Sequence, residues 1–129
     1  MLIAITTVSC SNKPDPEENI KYINGFWEIK EVILPDGTSK EYGSRITIDH
    51  IEVEGKQATR KKVVPMPSGG FGKTTSEETF IITAEEDSLR FYRNTEFDSW
   101  KETVINVDAD ELRVRGKNGR IFVYKRYDL

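Results

Sequence analysis

Three stretches hold residues whose types could do chemistry: Gly72-Lys73-Thr74 in the glycine-rich run "PMPSGGFGKTT", the lone imidazole of His50, and the basic triplet Arg60-Lys61-Lys62. A phosphate-gripping loop needs a glycine five positions before the Gly-Lys-Thr, where the backbone must curl to aim its N–H groups at one anion. Pro67 stands there instead, with a fixed φ and no N–H to offer. Such a loop must also run into a helix, whereas "ETFIITAEEDSLRFYRN" follows, which reads as strand, turn, strand. The run at residues 65–75 is therefore expected to be a long loop between two antiparallel strands. With one histidine and one cysteine in 129 residues, neither a zinc ligand set nor a Cys/His nucleophile pair can be assembled. Alternation along a strand splits Arg60-Lys61-Lys62 between two faces, the pattern of a solvated edge. A formal charge of -3, from 19 basic and 22 acidic residues interspersed, provides no basic face for nucleic acid. No carboxylate pair or nucleophile stands at a telling spacing, so neither catalysis, a cofactor nor a metal is expected.

The elements that would position these residues follow a period of two. A chain of this length makes one domain. Eight strands are predicted, in the runs "GFWEIKEVIL", "SRITIDHIEVE", "ATRKKVVP", "ETFIITA", "SLRFYRN", "SWKETVINVD", "ELRVRG" and "RIFVYKRYD". Turn signals separate them, among them "PDGT" and an Asn118-Gly119 pair suited to a primed hairpin turn. In the first strand Trp27, Ile29 and Ile33 share a face. In the second, Ile46 and Ile48 fall out of phase with Ile51 and Val53, so a β-bulge is expected near Asp49 or His50, leaving His50 a bulge or edge residue. Eight sequential antiparallel strands can close into an up-and-down barrel with room for one small ligand.

The chain opens "MLIAITTVSCSNKPDPEE". The segment "TVSC" resembles the lipobox that ends a bacterial lipoprotein signal peptide, and the resemblance implies that Cys10 carries the lipid anchor. Thr7 replaces the usual leucine, and the nine preceding residues hold no Lys or Arg, so residues 1–10 read as a truncated or atypical signal segment. Residues 11–21, polar and containing Pro14 and Pro16, read as a flexible tether, and residues 22–129 as the barrel. The acidic "SNKPDPEE" is similar to export signals of Bacteroidetes-type lipoproteins. The implied location is the cell envelope, lipid-anchored to the outer membrane on its periplasmic or surface face.

Asn24-Gly25-Phe26-Trp27 is similar to the Gly-x-Trp motif that opens the lipocalins, and Arg126 matches the late basic residue that packs across their tryptophan. The resemblance spans nearly the whole domain and fits the compact lipocalin-like domains of bacterial lipoproteins. It departs from the animal proteins at "VDADEL", which lacks their aspartate-tyrosine signature, and in having no room for a C-terminal helix. It implies an all-β, eight-stranded barrel closed at one end by Trp27 and Arg126, with a binding role rather than catalysis. The candidate lining is Ile29, Glu31, Ile48, Phe80, Ile82, Phe91, Arg93, Trp100 and Tyr124, with Phe71 as a lid at the mouth. An inward Glu31 or Arg93 would select a polar head group, because a buried charge needs a partner.

Two functions fit this outline. One is a membrane-tethered protein that binds a small, partly apolar ligand in the barrel. The other is an inhibitor or immunity-type interaction protein that uses its loops and outer surface. A pocket lined by aromatics favours the first, and an exposed patch of Phe71, Phe97 and Trp100 the second.

Overall fold

The computed structural model describes residues 15–43 and 47–127, with nine strands among them. These are β1 (Gly25–Ile33), β2 (Ser39–Glu41), β3 (Ile48–Glu54), β4 (Gln57–Pro65), β5 (Phe71–Glu85), β6 (Ser88–Asn94), β7 (Ser99–Val107), β8 (Glu111–Arg115) and β9 (Ile121–Arg126). All pairings are antiparallel, each strand from β3 onward lies beside the next, and β1 pairs with β9, closing the sheet on itself. The short β2 and β3 both lie on the same side of β1, β2 against Glu31, Val32 and Ile33, β3 against Gly25, Phe26 and Trp27. Together they fill the place of one barrel strand. The fold is thus the expected closed eight-stranded barrel.

The closed end is built around Trp27, which has no exposed surface and donates its indole N–H to the Ile23 carbonyl at 2.8 Å. Arg126 lies across the ring, its Cζ 3.9 Å from the centroid. Its guanidinium also donates to the carbonyls of Tyr22 (2.8 Å), Asn24 (2.7 Å), Ala109 (2.9 Å) and Asp108 (3.3 Å). Residues 16–21, expected in the tether, are part of this end. A 3₁₀ turn, Pro16–Asn19, begins with Asp15 accepting from the Glu17 N–H, and leads into a single helical turn, α1 (Ile20–Ile23). The 3₁₀ turn packs on β5 and β6, and α1 on β3. Proline and acidic residues there start a helix rather than keeping the chain loose.

Three irregularities decide which side chains face inward. On β1, Ile29 opposes Tyr124 and Glu31 opposes Val123, so Lys30 is an extra residue that shifts the alternation. Trp27 and Ile29 face in before it and Val32 after it, while Glu31 turns outward. Ile105 does the same on β7, bringing Val107 into the core after Val104. On β5 four residue steps, from Lys73 to Glu77, match two on β4, from Val63 to Lys61. Beyond that point the two strands continue as a hairpin arm with its turn at residues 66–70. The expected bulge near Asp49 or His50 is absent, since β3 and β4 pair without a break from Ile48 to Glu54. Ile51 and Val53 face inward with Asp49, and Ile48 faces outward with its partner Val63, both still buried. The turn at residues 116–119 also differs from the primed type, because Gly119 is left-handed (φ +79°) and Asn118 is not.

Gly25 accounts for the glycine of Gly-x-Trp. Its φ is +138°, and a Cβ there would run into Nη1 of Arg126, which the carbonyls hold in place. Gly25→Ala is therefore expected to lower the urea midpoint by an equivalent of about 2 kcal/mol or more at unchanged slope. Gly43→Ala, at an open site with no left-handed φ, should stay within about 0.5 kcal/mol of the parent. Equal effects of the two would disprove this account of the closed end.

Candidate functional site

Above the closed end the interior is filled by apolar side chains from seven strands, among them Ala58, Ile82, Leu89, Val104 and Leu112. Further toward the mouth the inward positions change character. Two adjoining lobes of about 200 Å³ and 180 Å³ share Trp27, Asp49, Phe122 and Tyr124. The larger lobe is also lined by Ile51, Arg60, Glu78, Phe80, Phe91, Arg93, Trp100, Glu102, Leu112 and Val114. The smaller adds Ile29, Val32, Tyr42, Thr47 and Lys62.

Register explains how charges come to sit inside. Arg60 on β4 stands directly opposite Glu78 on β5, and Arg93 on β6 opposite Trp100 on β7. Arg60 Nη2 donates to Glu78 Oε1 at 2.7 Å, and Arg93 donates to the other oxygen of Glu78. Arg93 Nη1 lies 3.3 Å from Glu102 Oε1, and the Trp100 indole N–H donates to Glu102 Oε2 at 3.0 Å. The result is a chain of alternating charge across β4 to β7. Arg93, only 6% exposed, is also sandwiched between rings, its Cζ 4.9 Å from the Phe80 centroid and 5.9 Å from that of Trp100. Beside this chain Lys62 donates to the buried Asp49 at 2.9 Å. One wall is thus charged and hydrogen-bonded, and the opposite wall, of Leu112, Val114 and Phe122, is apolar.

Burial pushes the Glu78 carboxyl up, but the hydrogen bonds and charges of Arg60 and Arg93 outweigh it and hold the group below the usual glutamate range. Burial also works against the Arg60 charge, and the Tyr124, Glu78 and Asp49 oxygens outweigh that in turn, so its pKa is raised. For Tyr124 burial dominates and, with Asp49 and Glu102 adding to it against Arg60 and Arg93, pushes the hydroxyl up to about 12.

The structure places Phe80, Phe91, Arg93, Trp100 and Tyr124 together in the larger lobe and Ile29 in the smaller. Ile82 faces inward but lies in the packed core and lines neither lobe. Glu31 and Ile48 point away from the interior, the first through the Lys30 bulge and the second because β3 has none. Phe71 is not a lid. It belongs to the hairpin arm and stacks on Phe26 outside the barrel (centroids 4.6 Å apart), with His50 on the other side of Phe26 at 4.0 Å and Tyr127 against Phe71. His50 accordingly sits within β3 rather than at an edge or bulge. Cys10 lies outside the described residues. Sequence reasoning missed Asp49, Arg60, Glu78 and Glu102. Arg60 is on a central strand, not a solvated edge, and Glu78 and Glu102 share the faces already assigned to Phe80 and Trp100, a signal that could have found them. Among the described residues no three His, Cys, Asp or Glu side chains converge as a metal ion would require.

The raised pKa of Tyr124 has a sign. An unfolded tyrosine ionises near 10, so the stability that Tyr124 contributes is complete below that pH and is lost as pH rises through about 12. The expected loss relative to Tyr124→Phe is up to roughly 2–3 kcal/mol between these limits, read from urea unfolding of both proteins at stepwise pH. Parallel alkaline limbs in parent and variant would contradict the buried hydroxyl.

Comparison with solved structures gives the barrel a place among known folds. A lipocalin-like protein from Bacteroides uniformis superposes with a TM-score of 0.50 at 13% identity, over 81% of this chain and 97% of that one. An uncharacterized protein from Bacteroides eggerthii gives 0.49 at 12% identity, over 81% and 98%. Lobster apocrustacyanin A1 gives 0.49 at 11% identity, over 86% and 64%. No family model and no curated protein matches the sequence. With a closed eight-stranded antiparallel barrel, Trp27 under Arg126 at its closed end and the likeness to the B. uniformis structure, the chain has a lipocalin-like fold.

Proposed function

We propose that the protein is a lipid-anchored envelope lipoprotein that holds a small, partly apolar molecule inside its barrel. The observation that carries the reading is the two-sided cavity: an apolar wall faced by an ordered wall of charges and hydrogen-bond donors. A barrel that only had to be stable would fill this space with aliphatic side chains, because replacing buried ion pairs by apolar residues is often neutral or stabilising. The two adjoining lobes, about 200 Å³ and 180 Å³, together lie at the low end of the roughly 300–1,000 Å³ of common ligand pockets, so the cargo is small. The resemblance of the Cys10 setting to a lipobox is what supports the anchor, and with it a location in the envelope at the outer membrane.

The alternative, a partner-binding role for the loops and outer surface, would be favoured by Phe71, Phe97 and Trp100 standing in one exposed patch. Phe71 is stacked against Phe26 and Trp100 lines the cavity, so only Phe97, 91% exposed, remains available. That leaves no assembled patch to favour it.

Native mass spectrometry of the protein purified gently from its own host tests both parts. The expected result is a non-covalent small molecule retained by the parent and lost in Trp100→Ala of unchanged circular dichroism, together with a diacylglyceryl mass that disappears in Cys10→Ser. An apo mass combined with no response of the two tryptophans to any small amphipathic probe would overturn the binding role. An unmodified Cys10 in protein from the host would overturn the anchor alone.

A further inference from the structure

The charge count of the cavity narrows the ligand further, an inference that rests on the binding role proposed above. Asp49, Glu78 and Glu102 face Arg60, Lys62 and Arg93, three of each sign. All four carboxylate oxygens of Glu78 and Glu102 are taken by Arg60, Arg93 and Trp100. Asp49 gives one oxygen to Lys62, and Arg60 gives one amino group to Glu78. Among the described residues, the remaining N–H groups of Arg60, the hydroxyl of Tyr124 and the second oxygen of Asp49 have no hydrogen-bond partner, and all three residues line the same lobe. Two donors and one acceptor are therefore presented together, opposite Leu112, Val114 and Phe122.

We infer that the ligand is an uncharged molecule with an apolar body and one head group that both accepts and donates hydrogen bonds, the pattern of a carboxamide. Its carbonyl accepts from Arg60 and Tyr124, its N–H donates to Asp49, and its body lies on the apolar wall. A carboxylate would satisfy the donors but meet Asp49 and bring an unbalanced charge into a set that is already neutral. An ammonium or amidinium would meet Arg60 with the same imbalance. A purely apolar molecule would leave the three polar groups dehydrated and unpaired.

Four probes of similar shape separate these cases: benzamide, benzoate, benzamidinium and toluene. The chain has two tryptophans, and both line the larger lobe, so the two indole N–H signals in a nitrogen-15 correlation spectrum report on any occupant. The expected result for the full chain is that benzamide shifts both signals and binds at least tenfold tighter than the other three, about 1.4 kcal/mol. Tyr124→Phe should remove about tenfold of the benzamide affinity and leave toluene unchanged. Should that variant not fold, Asp49→Asn provides a second reading, since removing the negative charge should raise benzoate relative to benzamide about tenfold. Benzoate or benzamidinium binding as tightly as benzamide would overturn the uncharged class and leave the binding cavity standing. Toluene equalling benzamide would overturn the polar head group. If none of the four moves either indole, the cavity is not a binding site and the inference falls with it.

Discussion

The guanidinium of Arg126 is the interaction on which the rest depends. It lies flat on Trp27, and its N–H groups reach carbonyls from the segment before β1 and from the turn between β7 and β8. A lysine could supply the charge but not the planar fork of donors. The contact with the ring is worth about 1 kcal/mol. The greater effect is geometric, because carbonyls from both flanks of the barrel are satisfied by one side chain. Gly25 exists to let that side chain pass, and α1 is held because Tyr22 and Ile23 accept from Arg126 and Trp27.

With one end sealed in this way, the interior can afford polarity at the other. The packed layer of Ile82, Leu89, Val104 and Leu112 provides the burial that a domain of this size needs. The charges above it are matched in number and locked by register, so that Arg93 is held between two aromatic rings with carboxylates on either side. Buried ion pairs are weak evidence for stability, and removing one member leaves an uncompensated charge. Their placement on one wall only, facing side chains with spare hydrogen-bonding capacity, is what gives the cavity a direction.

Much of this was legible in the amino-acid sequence. Alternation of apolar and polar residues and the spacing of turns point to eight antiparallel strands, and Gly25, Trp27 and Arg126 point to their closure. Side-chain facing was legible only as far as the first irregularity. The extra Lys30 has no compositional mark, so Glu31 reads as inward until pairing with β9 is known. The uneven pairing of β4 and β5 likewise turns an apparent loop into a paired arm and carries Phe71 to the outer face. Arg60, Glu78 and Glu102 escaped notice because a charge on a strand ordinarily marks the wet face. Each is tolerated inside only through a partner on the neighbouring strand, which no local pattern reveals. Pro16 and the glutamates after it resemble a linker and prove to be a helix start.

The seam that closes the barrel also sets the order of its assembly. Arg126 bonds to residues 102 and 104 positions earlier in the chain, so the first and last strands meet only after nearly everything between them has been made. Contacts of such sequence separation carry a large loop-closure entropy, and folds dominated by non-local pairing form in milliseconds to seconds rather than microseconds. Until β9 docks, the backbone edge of β1 stands open, able to pair with any other extended chain. The same Arg126 contacts that seal the finished barrel therefore also remove its last exposed strand edge, a protection the chain gains only at closure.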